Sequence, residues 1–290
     1  MSPEVTAVVT THGRPLHVQE ALASLSAETH RDIEIVVVDD GGAFDPGACS
    51  RDVPLRVVRG SDLGVGRARN LGLSAARGEF VIFLDDDDVA LPHRISRLVA
   101  AARNHRASLC FGMTRRVGGP SEILECVPTH LRSPGAVEFC DVLTCAPHVN
   151  AVLVRTETLR SVGGFDAGAT HFDDWSAWLR IADRNAVIWS LADTVAEWRI
   201  HAHGLSAHIL RNGAMKVRLL SLFERLESCL SVGNARAAAA ARSVVASAEI
   251  LTYDDYAGTM AGVRERLHSG ATCFGDRSCR RAATARVSVA

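Results

Sequence analysis

Phe80-Val81-Ile82-Phe83-Leu84-Asp85-Asp86-Asp87-Asp88 is the stretch on which the fold turns. Five apolar residues run straight into four carboxylates. An unbroken apolar run of this length reads as a strand buried on both faces, as in a parallel sheet covered by helices. The carboxylates need a counter-charge, because each raises the proton affinity of its neighbours, and a divalent cation removes that repulsion. A few oxygen ligands suit Mg²⁺ or Mn²⁺, with water and substrate phosphates completing the shell. In extended geometry Asp85 and Asp87 point one way and Asp86 and Asp88 the other, so only part of the run can face one ion. The alternative is a solvated acidic loop in which Asp88 caps the next helix.

Working outward, the pattern repeats. Val5–Val9 is a short β-branched strand that ends in Thr10-Thr11-His12-Gly13-Arg14-Pro15. Helical spacing follows from Leu16 to Leu25, then strands at Ile33–Val38 and Leu55–Val58, a helix from Gly64 to Ala76, and after the acid run a helix over Leu91–Ala102 with Pro92 in its first turn. Strands alternating with helices over the first ~105 residues predict an α/β fold with a mostly parallel sheet flanked by helices. Ligands bind such sheets beyond the carboxyl ends of the strands. The polar clusters after Val9, Val38 and Leu84 all fall there.

Farther along, Ala107–Met113, His148–Val154 and Val195–Ile200 read as strands, Gly163-Gly164-Phe165-Asp166 as a turn and Asp173–Ala182 as a helix. From Leu205 the chain reads as mostly helical, with Leu219, Leu222, Phe223, Leu226 and Leu230 on one face. The tail after Gly275 lacks apolar periodicity.

Composition narrows the class of function. The 290 residues carry 32 basic and 33 acidic side chains and a net charge of −1, which argues against a nucleic-acid binder working by bulk charge. Nearly all the positive charge is arginine, Lys216 being the one lysine. No stretch approaches the ~18 uninterrupted apolar residues of a membrane helix, so no integral membrane segment is expected. The amino terminus has no basic segment before its first strand, so no signal peptide is expected. Eight cysteines without a Cys-x-x-Cys pair fit reduced thiols in a cytoplasmic protein.

Two signals are weaker. Asp39-Asp40-Gly41-Gly42 reads as a turn or as a carboxylate for a base N–H or ribose hydroxyls. Gly64-x-Gly66 has part of a dinucleotide fingerprint but Arg69 stands where the third glycine belongs. His12, His148 and His203 read equally well as satisfied surface or core histidines.

With these segments in order, the chain resembles the family 2 glycosyltransferases, which have the Rossmann-like GT-A fold. The resemblance rests on Val8–Pro15, on Ile35–Gly41, on Ala68-Arg69-Asn70-x-Gly72 and on Phe83–Asp88. It continues in Gly163–Asp166 with Asp173-Asp174-Trp175 and Trp178-Leu179-Arg180, and in Trp198-Arg199-Ile200-His201 with Ser206. It covers about residues 5–206. It implies a nucleotide-sugar-binding half over 1–105 and an acceptor and catalytic half over 106–204, and the residue pattern beyond it adds a helical region over 205–275 and a flexible tail over 276–290.

The resemblance also implies roles. Thr10, His12 and Arg14 of the first loop, Asp39, Arg69 and Asp86 match donor contacts, with Asp86 nearer the ribose. Asp87 matches the direct metal ligand, for Mn²⁺ or Mg²⁺, and His201 a late histidine that completes the metal or diphosphate site. Asp174 matches the catalytic base. Asp173, Trp175 and Trp178 lie on the acceptor side, although tryptophans at i and i+3 also fit simple packing. The implied reaction moves a sugar, with inversion, from a nucleotide-sugar donor of the uridine type to an acceptor hydroxyl on a small molecule or glycan. Thr10-Thr11-His12-Gly13 replaces the family's usual Pro-Thr-aromatic-Asn, which leaves base stacking to an imidazole. A nucleotidyltransferase and a non-catalytic nucleotide- or sugar-binding protein of the same fold remain as alternatives.

Overall fold

The computed structural model describes residues 2–42, 44–45, 53–118, 134–201, 214–250 and 253–268. His203, Ser206 and the tail after Gly275 lie outside them. Contacts divide the chain into two units. The first is Met1–Val137 with Pro147–Gly204, and the second is Glu138–Ala146 with Leu205–Ala290.

The first unit is built on one mixed sheet. Its strands are β1 (Val5–Thr11), β2 (Ile33–Asp39), β3 (Leu55–Arg59), β4 (Phe80–Asp85), β5 (Val89–Ala90), β6 (Leu109–Val117), β7 (Gly135–Val137), β8 (Val152–Arg155) and β9 (Ile188–Arg199). Their spatial order is β3-β2-β1-β4-β8-β6-β9-β5, with β7 also on β9. β1 to β4 are mutually parallel, as the continuous apolar runs predict, and all seven positions of β2 are buried. β8 enters antiparallel between β4 and β6, β6 and β9 are parallel, and β5 and β7 run antiparallel to β9.

Strand parity sorts the core into two layers. Val5, Ala7 and Val9 of β1 and Phe80, Ile82 and Leu84 of β4 pack with Val18, Leu22 and Leu25 of α1 (Pro15–Ser26) and with Ile95 and Leu98 of α3 (Arg94–His105). Val8 and Phe83 face the other way. Gly72 of α2 (Val65–Ala75) lies so close to Val8 that a Cβ there would overlap the valine Cγ1, so glycine lets this helix dock directly on β1. Phe83 meets Phe165 edge-on at 4.7 Å, and Phe165 meets Trp178 at 5.7 Å. Trp178 belongs to α6 (Asp173–Asp183), which follows the short α5 (Thr156–Ser161).

Several element boundaries differ from the sequence expectation. The helix predicted from Leu91 starts at Arg94, because Val89–Ala90 first pairs with β9 and residues 91–93 form a turn in which the Arg94 N–H donates to Leu91 O (2.9 Å). Asp88 does not cap that helix. The predicted strand over His148–Val154 is a 3₁₀ turn at Val149–Ala151 followed by β8, and the strand predicted at Val195–Ile200 is the end of the longer β9.

Between the end of α1 and the start of α3 lies a buried acid. Glu28 accepts the Ile95 N–H on both oxygens (3.2 Å each), and burial pushes its carboxyl up to about 7, partly opposed by the fully buried Arg94. A raised carboxyl contributes stability that is full below its ordinary pKa and lost as pH climbs through about 7. Glu28→Gln is therefore expected to melt no lower than wild type near about pH 8, and to lack the wild-type decline in Tm above about pH 5. Thermal melts across that range check it; a variant that melts well below wild type at the upper end contradicts it.

The second unit, taken by itself, is helical: α4 (Phe139–Cys145), α7 (Met215–Glu227), α8 (Val232–Ser247) and α9 (Tyr253–His268). Leu219, Leu222, Phe223 and Leu226 are the buried face of α7, and Ala238, Ala241 and Val245 that of α8. Among the described residues, no helix is long and apolar enough to cross a membrane.

Candidate active site

The carboxyl ends of β1, β2 and β4 lie side by side, with Thr11 opposite Asp39 and Thr10 opposite Asp85 in the register. This adjacency brings the three polar clusters together at one edge of the sheet. Exposure alternates along the acid run: Asp86 and Asp88 are buried, Asp85 and Asp87 half-buried.

The two buried carboxylates are tied down. Asp86 accepts the Thr11 hydroxyl (2.6 Å) and ion-pairs with Arg14 Nη2 (2.6 Å), while burial pushes its carboxyl up to about 6. Asp88 accepts the Arg199 backbone N–H (2.7 Å) and the Asn150 side-chain amide. Asn150, wholly buried, also accepts the Asp85 N–H (3.0 Å), so one amide clasps both ends of the turn. Asn150→Ala would leave buried polar groups at both positions unpaired, at about 1–3 kcal/mol each. Urea denaturation is expected to show a loss in that range or above; a change within about 0.5 kcal/mol would contradict the clasp.

Asp87 faces the site. Its Oδ2 accepts from Arg14 Nη1 (2.6 Å) and lies 2.9 Å from His201 Nε2. Burial acts to raise this carboxyl, but Arg14 and His201 more than offset it and hold it below the usual range. Asp88's bond to Arg199, two residues before His201, sets the register of the histidine against Asp87. The His17 ring stands 5.9 Å from that of His201.

On the other flank, Arg69 of α2 reaches Asp85 through Nη2 (2.7 Å) and both oxygens of Asp173 through Nη1 (3.1 and 2.9 Å). Asp173 and Asp174 open α6 directly after Phe172, which takes a left-handed φ of +60°. Asp174 is half-buried. Burial and the adjacent Asp173 push its carboxyl above the ordinary range, against the pull of Arg69 and the Trp175 N–H that its Oδ1 accepts (2.8 Å).

Five of the expected site residues are held by other protein groups or packed in the core. Asp39, expected at the donor, has no exposed side-chain surface. It accepts the Gly41, Gly42 and Phe44 N–H groups and pairs with Arg59, which organises its own turn. Arg69 is 5% exposed and engaged by carboxylates, so it offers no surface to a donor. Asp173 is buried against Arg69 rather than open to an acceptor. Trp175 and Trp178 are 1% and 0% exposed, and Trp178 Nε1 donates to Pro147 O (3.0 Å), so both rings are core rather than stacking platforms.

Thr10 is half-buried near the end of β1, and His12 is exposed just after that strand. His12 Nε2 sits 2.8 Å from Asp62 Oδ1, which raises the imidazole pKa. Sequence reasoning assigned no role to Asn150, and it read Asp40 with Asp39 as a turn or a base or ribose contact. Asp40 accepts the Leu63 and Gly64 N–H groups (2.9 and 3.1 Å) and shapes the entry to α2. An asparagine inside the apolar stretch 148–154 was the available signal, since a buried amide must find partners.

Among the described residues, no group of three or more His, Cys, Asp or Glu side chains could hold a metal by itself. A cavity of about 690 Å³ lies at the opposite, amino end of the sheet, but Arg103 and Arg155 there are paired with Glu4 and Glu79, leaving a self-neutralised surface.

Residues 6–127 match the model of the family described as Glycosyl transferase family 2. An uncharacterized glycosyltransferase of Rickettsia felis is 23% identical over 188 residues, covering 63% of this chain and 31% of the relative. The chain thus spans about a third of the length of the curated relatives it matches. The crystal structure of S. aureus TarS 1–349 in complex with UDP-GlcNAc aligns with a TM-score of 0.61 at 15% identity over 92% of both chains. The mannosyltransferase PcManGT from Pyrobaculum calidifontis, in complex with GDP-Man and Mn²⁺, aligns with a TM-score of 0.61 at 19% identity over 98% of this chain and 80% of that one. At these identities the likeness speaks for the fold, the GT-A arrangement expected from the sequence.

Proposed function

We propose that the chain, whose residues 6–127 match the model of Glycosyl transferase family 2, transfers a sugar, with inversion, from a nucleotide-sugar donor to an acceptor hydroxyl, assisted by Mn²⁺ or Mg²⁺. The observation that carries this reading is the continuity of the acid turn. Asp87 meets Arg14 and His201 on one side, and Asp85 is linked through Arg69 to the Asp173–Asp174 pair on the other. A leaving-group site and a proton acceptor thereby share one sheet edge.

Asp87 and His201 fit a divalent ion. Their hydrogen bond of 2.9 Å brings a carboxylate oxygen and an imidazole nitrogen together, and these two atoms would hold the ion. With two protein ligands, the remaining positions would belong to water and the donor's phosphates, the pattern usual for Mg²⁺. When bound, the ion would stabilise the negative charge developing on the diphosphate. Arg14, already beside Asp86 and Asp87, is placed to share that charge. Thr10 and His12 line the side given to the nucleoside.

Asp174 would take the proton of the attacking hydroxyl, which is a poor nucleophile until a base accepts it. The motif supplies no second nucleophile, so a single displacement and inversion follow. The neighbours bind UDP-GlcNAc, UDP and GDP-Man, which supports a nucleotide-sugar donor; a uridine nucleotide is the base we favour. The proposal includes a cytoplasmic location and an acceptor that is a small molecule or glycan.

The test is a donor screen with UDP- and GDP-sugars, hydroxyl acceptors and Mn²⁺. Released nucleoside diphosphate supports transfer. Released pyrophosphate would support nucleotidyl transfer instead, and binding without turnover would favour a non-catalytic protein.

A further inference from the structure

α2 carries Gly66, Arg69, Asn70 and Leu73 on one face, at i, i+3, i+4 and i+7. Each touches the segment leading into α6 or closes the space beside it. A Cβ on Gly66 would lie 2.7 Å from Asp166 O. Asn70 donates to Phe165 O (2.9 Å) and accepts the Phe165 N–H (2.8 Å), clamping the Gly163-Gly164 turn. Arg69 adds the one charged link on this face. It joins Asp85, at the end of β4, to Asp173, at the start of α6, from a position 5% exposed.

We propose that Arg69 is a positioning residue for the transfer reaction: by bridging Asp85 and Asp173 it fixes the spacing between the acid turn and Asp174. This rests on the reading of function above. A planar guanidinium holds two carboxylates through separate nitrogens in fixed directions, whereas an ammonium is a single atom with rotatable donors. The bond from Arg69 to Asp173 spans 104 positions in sequence, so no local structure would replace it. The groups that face Asp174 are Asp173, Arg69, Asp85 and the Trp175 N–H. Without Arg69 two negative neighbours remain and no positive one, so Asp174 would hold its proton to higher pH.

The experiment compares wild type, Arg69→Met and Arg69→Lys by the pH profile of kcat, the donor KM and ¹³C NMR titration of the Asp174 carboxyl. Arg69→Met is expected to lower kcat by roughly 10- to 100-fold with little change in donor KM, since a small misplacement of reacting groups costs that much. Its acid limb and the Asp174 titration should move up by about one pH unit. Arg69→Lys, which keeps the charge but not the two-sided bridge, should keep the wild-type limb while kcat still falls. Loss of donor affinity with kcat intact would overturn the proposal, as would an unmoved Asp174 titration in Arg69→Met. If that variant does not fold, a folded Arg69→Lys with wild-type kcat overturns it. The NMR titration needs no turnover, so a wild type that transfers nothing would count against the transfer reading alone.

Discussion

Asp174→Asn is expected to lower transfer turnover by ~10²–10⁴-fold while leaving nucleotide affinity almost unchanged. Asparagine keeps the side-chain shape at the start of α6 and can still accept the Trp175 N–H, but it cannot take a proton. The proposed metal and phosphate contacts, Asp87, Arg14 and His201, are not among the groups that face Asp174. The wild-type pH profile should carry the same signature. Burial and Asp173 raise the Asp174 carboxyl, and a base works only when ionised, so turnover should fall as pH drops through that raised value. The substitution should remove this acid limb from whatever activity remains. NMR of the product's anomeric linkage completes the check: an α-linked donor should give a β-linked product. Retention, or near-normal turnover in Asp174→Asn, would remove Asp174 from the mechanism.

The second large effect is expected at Asp87. Asp87→Ala should weaken Mn²⁺-dependent nucleotide binding by about 10²-fold or more, since even outer-shell partners of a metal cost 10–100-fold. Calorimetry of a nucleoside diphosphate with Mn²⁺ and with EDTA reads it. Stability should change in a defined direction with pH. Arg14 and His201 hold this carboxyl below the ordinary range, so its contribution is present above the ordinary pKa and lost as pH falls through the lowered one. Asp87→Ala should therefore show less acid sensitivity of Tm than wild type. An unchanged Mn²⁺ dependence would remove Asp87 from the metal role.

β1, β2 and β4 were legible because each is largely an apolar run, and a strand buried on both faces leaves that mark whatever its neighbours are. Phe80–Leu84 and Ile33–Val38 are the clearest cases. β5 and β8 were not legible as they stand. β5 is two residues long and exists because β9 is beside it, and β8 is preceded by a 3₁₀ turn that the apolar pattern of 148–154 does not distinguish from strand. Both depend on residues more than forty positions away, which local periodicity does not record.

The site was legible in its residue types and less so in its directions. The expected alternation of the acid run is seen, with Asp86 and Asp88 buried and Asp85 and Asp87 half-buried, but it arises in a turn closed by the Asp88 N–H on Asp85 O (3.1 Å) and not in the extended strand the expectation assumed. What spacing could not reveal is which polar groups are consumed by other protein groups. Asp39 is taken up by its own turn, Arg69 by two aspartates, and Asp173 by Arg69. The Ala68-Arg69-Asn70-x-Gly72 motif therefore has a packing explanation at every named position. Ala68 is buried, Arg69 bridges, Asn70 clamps a turn and Gly72 lets α2 approach Val8. The tryptophans at 175 and 178 show the same limit, since helical spacing alone serves the core as well as a binding face.

The central claim is that the acid turn, with Asp87 and His201, binds the diphosphate of a nucleotide through a divalent ion. Thermal shift of the wild-type chain with UDP and with GDP, each in Mn²⁺ and in EDTA, tests it most directly, because a ligand that binds the folded state raises Tm by mass action. The account predicts a rise that requires nucleotide and Mn²⁺ together. Equal shifts in EDTA, or no shift with either nucleotide at concentrations far above a micromolar Kd, would contradict it.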